Sequence, residues 1–269
     1  MFTDTRESEA FLSTGEMAPL PLRIAVLECD TPLTQTREKY GGYGGVFTAL
    51  LKAGADALHA QYPGLSSSSG LEITTWDVVA KDEYPSLSDI DAILISGSKF
   101  NSFDDSPWIV KLVDFVKEVL QQDRVRIIGV CFGHQIVGRA MGAKVDRSNK
   151  GWEISVIPIS LTNRGQEIFG KSSLALHQMH RDAVYRYPEG VEELAYTEKC
   201  PVQSMYIAKR LITVQGHPEF NEQIVRELLK ARHESGIFDD AAFEESIGRV
   251  DKPQDGVVVA QAFLKFLLE

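Results

Sequence analysis

Residues 125–143 read VRIIGVCFGHQIVGRAMGA, and this stretch decides the fold. VRIIGV, residues 125–130, is short, apolar and rich in branched side chains, which predicts a buried strand. From Cys131 onward the apolar residues take helical spacing. A strand therefore runs into a helix through a one-residue turn, with Gly129-Val130-Cys131-Phe132-Gly133 at the bend. The pattern is the cysteine counterpart of the Gly-x-Ser-x-Gly nucleophile elbow. So sharp a turn strains the central residue and needs small neighbours, which Gly129 and Gly133 provide. The Cys131 sulfur would project from the carboxyl edge of the sheet, where open α/β sheets place ligands. The helix start behind it favours a thiolate, and the Phe132 N–H would face an oxyanion formed on an attacked carbonyl. The alternative for Cys131 alone is a buried structural thiol.

Working outward, RIAVLECD (residues 23–30), LEITTWDVV (71–79) and IDAILIS (90–96) also read as strands. GVFTALLKAGADALHA (45–60) and SPWIVKLVDFVKEVLQQ (106–122) read as helices, the second with Ser106 as its cap and Pro107 at its first position. The serine run at 66–70 is a surface loop. Apolar strands joined by helices imply an α/β fold with a mostly parallel, helix-flanked central sheet of flavodoxin-like type. The segment 144–160 alternates apolar and polar residues around an Asn-Lys-Gly turn and predicts an added antiparallel hairpin. Further strands are expected near 174–180, 193–198 and 202–219, and helices over 221–234 and 257–269. No repeat or linker divides the chain. The expected organisation is a flexible N-terminal segment, residues 1–20, and a single domain over 21–269.

The 269 residues carry a formal net charge of −10, which argues against nucleic acid or an anionic membrane as the main partner. The three cysteines, Cys29, Cys131 and Cys200, form no Cys-x-x-Cys pair and no disulfide framework. Free thiols suit a reducing compartment, and the N-terminus reads as neither a signal peptide nor a membrane span, so the expected location is cytoplasmic. No histidine spacing suggests zinc. Neither a metal nor a cofactor is expected, because acyl transfer by a thiolate needs none.

A thiolate nucleophile needs a base, and the base an orienting group. Both occur in VQGHPE, residues 214–219, where His217 follows the apolar run LITVQ and Glu219 lies beyond a rigid proline. Two strands ending at one sheet edge would bring Cys131 and His217 together, with Glu219 holding one imidazole nitrogen. The plainer alternative makes His217 a strand terminus and Glu219 the start of the following helix. Gly97 and Ser98 end another strand, and their N–H groups would complete an oxyanion hole; a plain turn is the alternative there. The GGYGG at 41–45 lacks the spacing of a phosphate loop and is read as a flexible loop over the cleft. Cys29, Cys200 and His134 are read as structural. Arg37, Lys39 and Arg181 could bind carboxylates, although exposed surface charge explains them as well.

The order SGS (96–98), GVCFGHQ (129–135), QGHPE (215–219) resembles the class I glutamine amidotransferases, whose nucleophile, base and orienting acid would be Cys131, His217 and Glu219. The resemblance implies that Gln135 helps hold a glutamyl group and that His180 lies near the cleft, steering a substrate carboxylate or serving structurally. KYGGYGGVF (39–47), ISGSKFNSFDDSPWI (95–109), KGWE (150–153) and HQMHRDAV (177–184) are similar to the free-standing γ-glutamyl peptidase branch. Gly97-Ser98 stands where many amidotransferases carry Gly-Gly, and no synthetase region follows the triad. The implied activity is hydrolysis of γ-glutamyl amide bonds through a Cys131 thioester, with a small γ-glutamyl substrate such as glutathione or its conjugates. Two alternatives stand beside it. One is a glutaminase subunit delivering ammonia to a partner synthetase. The other is a catalytically silent binding or regulatory protein, which an intact triad disfavours.

Overall fold

The computed structural model describes residues 18–269. Eleven strands and eight α-helices occur among them. In chain order they are β1 Leu22–Glu28, α1 Thr34–Tyr40, α2 Tyr43–Leu58, β2 Leu71–Asp77, β3 Ala92–Ile95, α3 Pro107–Leu120, β4 Arg126–Val130, α4 Phe132–Ala140, β5 Val145–Arg147, β6 Glu153–Leu161, α5 Asn163–Phe169, β7 Ser173–His180, β8 Asp182–Val184, β9 Glu192–Tyr196, β10 Ser204–Ile207, β11 Leu211–Val214, α6 Glu222–Glu234, α7 Asp240–Ile247 and α8 Gly256–Leu268.

Nine strands form one sheet in the order β2-β1-β3-β4-β11-β10-β9-β6-β7. The first five run parallel, and the remaining pairings are antiparallel. The central strands are apolar on both faces because helices cover both. Ile24 and Val26 face α2 and α8, packing with Phe47, Leu51 and Phe263. Ala25 and Leu27 face α3 and α4, packing with Ile109, Leu112 and Ile136. The alternation follows from the two-residue period of a strand. A third cluster, built from Tyr43, Ile154, Met179, Phe220, Val225 and Phe238, seats α6 against β6, β7 and the start of α2.

Three local expectations are corrected. Residues 144–160 do not form a hairpin: β5 pairs with β8 in a separate two-stranded sheet, while β6 pairs with β7 and β9. Alternating polarity marks a strand exposed on one face but does not name its partner, which is long-range. The GGYGG segment is no flexible loop. Gly41, at φ +82°, ends α1, and Tyr43-Gly44-Gly45 begin α2. The Gly44 N–H donates to Glu28 Oε1 at 2.7 Å, and a Cβ on Gly45 would lie 1.8 Å from the Tyr40 carbonyl. These glycines allow two helices to meet at a tight corner. Ser106 precedes α3, but its side chain accepts no capping hydrogen bond; Pro107 does occupy the first turn. The flexible segment expected over 1–20 falls outside the described residues for 1–17, while the Ala18 N–H bonds the Leu268 carbonyl at 3.3 Å. Among the described residues no helix is long and apolar enough to cross a membrane.

Helix α2 crosses α8 where Gly54 faces Ala260. A Cβ on Gly54 would lie 2.7 Å from the Ala260 Cβ and 3.1 Å from its carbonyl carbon. Replacing Gly54 by valine should therefore destabilise the protein by about 1–3 kcal/mol through overpacking, despite valine's better helix propensity. Urea denaturation checks this; an unchanged midpoint would show that the two helices separate without cost.

Candidate active site

Register brings the site together. In the parallel half of the sheet, Ile95 pairs with Gly129 and Val130 with Val214. Strands β3, β4 and β11 therefore end at one edge, and Gly97, Cys131 and His217 follow within three residues of those ends. Cys131 has φ +51° and ψ −101°, a conformation that L-residues seldom adopt and that costs about 1–3 kcal/mol. Its N–H donates to the Val214 carbonyl at 2.9 Å, and its carbonyl accepts from Gln135 N–H at 3.1 Å, which fixes the turn from both sides. The small neighbours are required. A Cβ on Gly129 would lie 2.9 Å from the Gly133 carbonyl, and one on Gly133 would lie 2.3 Å from the Ile95 carbonyl.

His217 Nδ1 bonds Glu219 Oε1 at 2.8 Å, which leaves Nε2 as the nitrogen available to the neighbouring Cys131 thiol. All three side chains are buried. The ring stacks on Phe220 at 4.0 Å, nearly parallel, and the His217 N–H donates to the His177 carbonyl at 2.8 Å. Burial by itself would pull the imidazole pKa down. The adjoining Cys131 and Glu219 charges and hydrogen bonds outweigh it and raise the value to about 10. The arrangement holds His217 toward its protonated form. Helix α6 begins at Glu222 with Asn221 as its cap, so Glu219 is not its first residue and its carboxylate serves the imidazole instead.

Gly97 touches the pair. A Cβ there would lie 2.8 Å from His217 Cε1 and 3.7 Å from Cys131 Cβ. Ser96 Oγ accepts from the Cys29 N–H and donates to the Gly97 carbonyl, both at 2.9 Å. In a trans peptide the N–H points opposite the carbonyl, so the Ser98 N–H faces away from that contact. The Ser98 hydroxyl donates to the Cys29 carbonyl at 2.8 Å, so only its backbone is left for a ligand. Phe132 opens α4, where its N–H has no preceding carbonyl to bond, and its buried ring stacks on Trp108.

Gln135 and His180 line the cavity beside Cys131, but their polar atoms are engaged. Gln135 Oε1 accepts from Ser102, and its Nε2 donates to the Asp182 carbonyl and to Gln215 Oε1. His180 places one ring nitrogen 3.0 Å from Glu153 Oε2 and the other 3.0 Å from the Asp182 carbonyl. Both residues are parts of the wall, tied to each other through Asp182. His134 lies behind the elbow, bonded to Thr213 at 2.7 Å, and burial holds it neutral with a pKa near 3. Burial pushes the Cys29 and Cys200 thiols up, so both stay protonated. Glu153, His180 and Cys200 bring ligand-type atoms within 4.8 Å of one another. The Glu153 oxygens already accept from Thr197, Gln203 and His180, so the group reads as a hydrogen-bonded network.

Of the three surface cations considered from sequence, only Arg181 lines this cavity; Lys39 bonds Gln223 elsewhere. Sequence reasoning missed Arg232, Trp152, Tyr43 and Ile237, which wall the two cavities flanking Cys131 and His217. For Arg232 a signal existed. It follows Leu228 and Leu229 at i+4 and i+3, so it continues the buried stripe of α6 and not its solvated face.

The family described as Glutamine amidotransferase class-I matches residues 61–239. A glutamine amidotransferase-like protein of Schizosaccharomyces pombe is 36% identical over 91% of this chain and 98% of its own length. Gamma-glutamyl peptidase 3 of Arabidopsis thaliana is 32% identical over 75% of this chain and 77% of its own. Among solved structures, a glutamine amido transferase from Methylobacillus flagellatus superposes with a TM-score of 0.69 at 19% identity, covering 93% of this chain and 96% of that one. The fold is shared with that structure.

Two outcomes follow from the geometry. Gly97→Ala should push the His217 ring off the sulfur and lower kcat/KM by roughly 10- to 100-fold. Thiol labelling of Cys131 should slow in parallel; full activity would show that the ring is not held against this backbone. Glu219→Gln removes one of the negative charges that raise His217. The imidazolium should then lose its proton at lower pH, and the alkaline limb of the kcat/KM profile should move down. An unmoved limb would disconnect Glu219 from the imidazole.

Proposed function

The chain belongs to the class I glutamine amidotransferase family, and on that premise we propose that it hydrolyses γ-glutamyl amide bonds, preferring amides of amino acids or peptides to glutamine itself. The Cys131 thiolate attacks the γ-carbonyl, and the N–H groups of Ser98 and Phe132 take the developing oxyanion. Collapse of the tetrahedral adduct breaks the C–N bond while His217 Nε2 gives its proton to the departing nitrogen. Water then attacks the Cys131 thioester, His217 takes a proton from it, and glutamate leaves with the thiolate restored. Glu219 keeps Nδ1 protonated and the ring in line throughout. No step asks for a metal or a redox cofactor.

The preference for a large leaving group rests on one observation. On the His217 side, where the departing nitrogen would collect its proton, lies a cavity of about 280 Å³ walled by Tyr43, Phe220, Leu228, Ala231 and Ile237. A molecule the size of ammonia or water needs only about 10–15 Å³ of such space. The exposed apolar side chains Leu33, Phe100 and Ile237 rim the two cavities and suit an organic group, not an ion. The gamma-glutamyl peptidases among the relatives support the same choice.

Purified protein offered glutathione and glutamine side by side tests it. Higher kcat/KM on glutathione, with a dipeptide and glutamate as products, is expected. Cys131→Ala should lower turnover by at least about a thousandfold while the thermal midpoint stays near that of wild type, because alanine keeps the Cβ and the turn. A faster reaction with glutamine and ammonia release would point instead to a glutaminase serving a synthetase, and wild-type rates in Cys131→Ala would end the assignment.

A further inference from the structure

The chain is acidic overall, yet four cations line the cavity beside Cys131: Lys99, Arg147, Arg181 and Arg232. Two are neutralised locally. Lys99 pairs with Asp30 at 2.7 Å and Arg147 with Asp182 at 2.9 Å. Arg181 and Arg232 have no carboxylate partner among the described residues; instead their guanidinium groups pack on the Trp152 ring at 5.2 and 5.1 Å. Arg232 also lies 5.9 Å from the Phe238 ring centre, and its Nη1 is buried without a hydrogen-bond partner. A guanidinium does not give up its proton in proteins, so burial cannot neutralise it, and an unmade buried hydrogen bond is costly. A planar fork stacked on aromatic rings is preorganised to take a carboxylate through two parallel hydrogen bonds.

Position assigns that carboxylate. Arg181 lines only the cavity on the Cys131 side, together with Gln135 and His180, where the acyl half of a substrate would lie. Arg232 lines both that cavity and the one on the His217 side. The other cation shared by the two is Lys99, which Asp30 already holds. Arg232 is therefore the unpaired charge facing the departing group.

Resting on the γ-glutamyl hydrolase reading above, we propose that Arg232 binds the free carboxylate of the leaving amino acid or peptide and makes the enzyme selective for γ-glutamyl amides that carry one. Neutral amines and ammonia would leave the guanidinium unpaired.

The test compares γ-glutamylglycine with γ-glutamylglycinamide, which differ only in the leaving-group carboxylate. Wild type should favour the acid in kcat/KM, and Arg232→Gln should reduce the acid-to-amide ratio by about 10- to 100-fold. Arg232→Lys should recover part of the ratio, because it restores charge but not the fork. Equal use of both substrates by wild type overturns the proposal without any variant. A ratio unchanged in Arg232→Gln, or a loss equal on both substrates, also overturns it and moves the contact to the acyl half or to packing. Wild-type turnover of neither compound, with glutathione also inert, instead sinks the hydrolase reading beneath it.

Discussion

Everything at the site depends on the parallel register of β3, β4 and β11. Residues paired across those strands end together, so the chain segments that leave them converge at one edge of the sheet. Convergence alone would leave the side chains too far apart. Gly97, Gly129 and Gly133 remove the Cβ atoms that would hold the three segments apart, and the backbones close to contact. The strained turn at Cys131 persists because apolar layers on both faces of the sheet hold the strand before it and the helix after it.

Once that edge is closed, electrostatics decides what the thiol can do. A buried histidine by itself would be driven neutral, as His134 and His177 are. His217 goes the other way because Glu219 bonds its Nδ1 and Cys131 lies beside it. Burial thus pulls all three rings down, and only at His217 do neighbouring groups reverse the outcome. Cys29 and Cys200 are buried thiols, and burial pushes each of them up so that it stays protonated.

The two halves of the sheet divide the work. The parallel half carries Gly97, Cys131 and His217. The antiparallel half and its helices form the opposite wall: β7 supplies Met179, His180 and the His177 carbonyl that bonds the His217 backbone, and α6 supplies Arg232. Trp152, just before β6, lies beneath the guanidinium groups of Arg181 and Arg232. The Cys131–His217–Glu219 group and the wall that bears the arginines therefore come from different halves of one sheet.

The chain's order of residues was enough to mark the elbow, the apolar strands of the parallel core, and Cys131, His217 and Glu219 as candidate site residues. Each is encoded locally, by glycines flanking Cys131, by apolar runs of strand length and by a histidine and a glutamate two residues apart. The resemblance to a known family added the expected chemistry. What tertiary structure alone decided was pairing at a distance. Alternation over 144–160 was legible, but not that β5 would join β8 while β6 crossed to β7 and β9. GGYGG looked flexible because glycine spacing does not reveal that a neighbouring carbonyl fills the space a Cβ would need. Gln135 and His180 could be placed near the cleft, but their full set of partners comes from β8, β6 and residues remote in sequence. Arg232 escaped notice for the same reason. Its place on the apolar stripe of α6 was legible, but its setting beside Trp152, with no carboxylate partner among the described residues, arises only on folding.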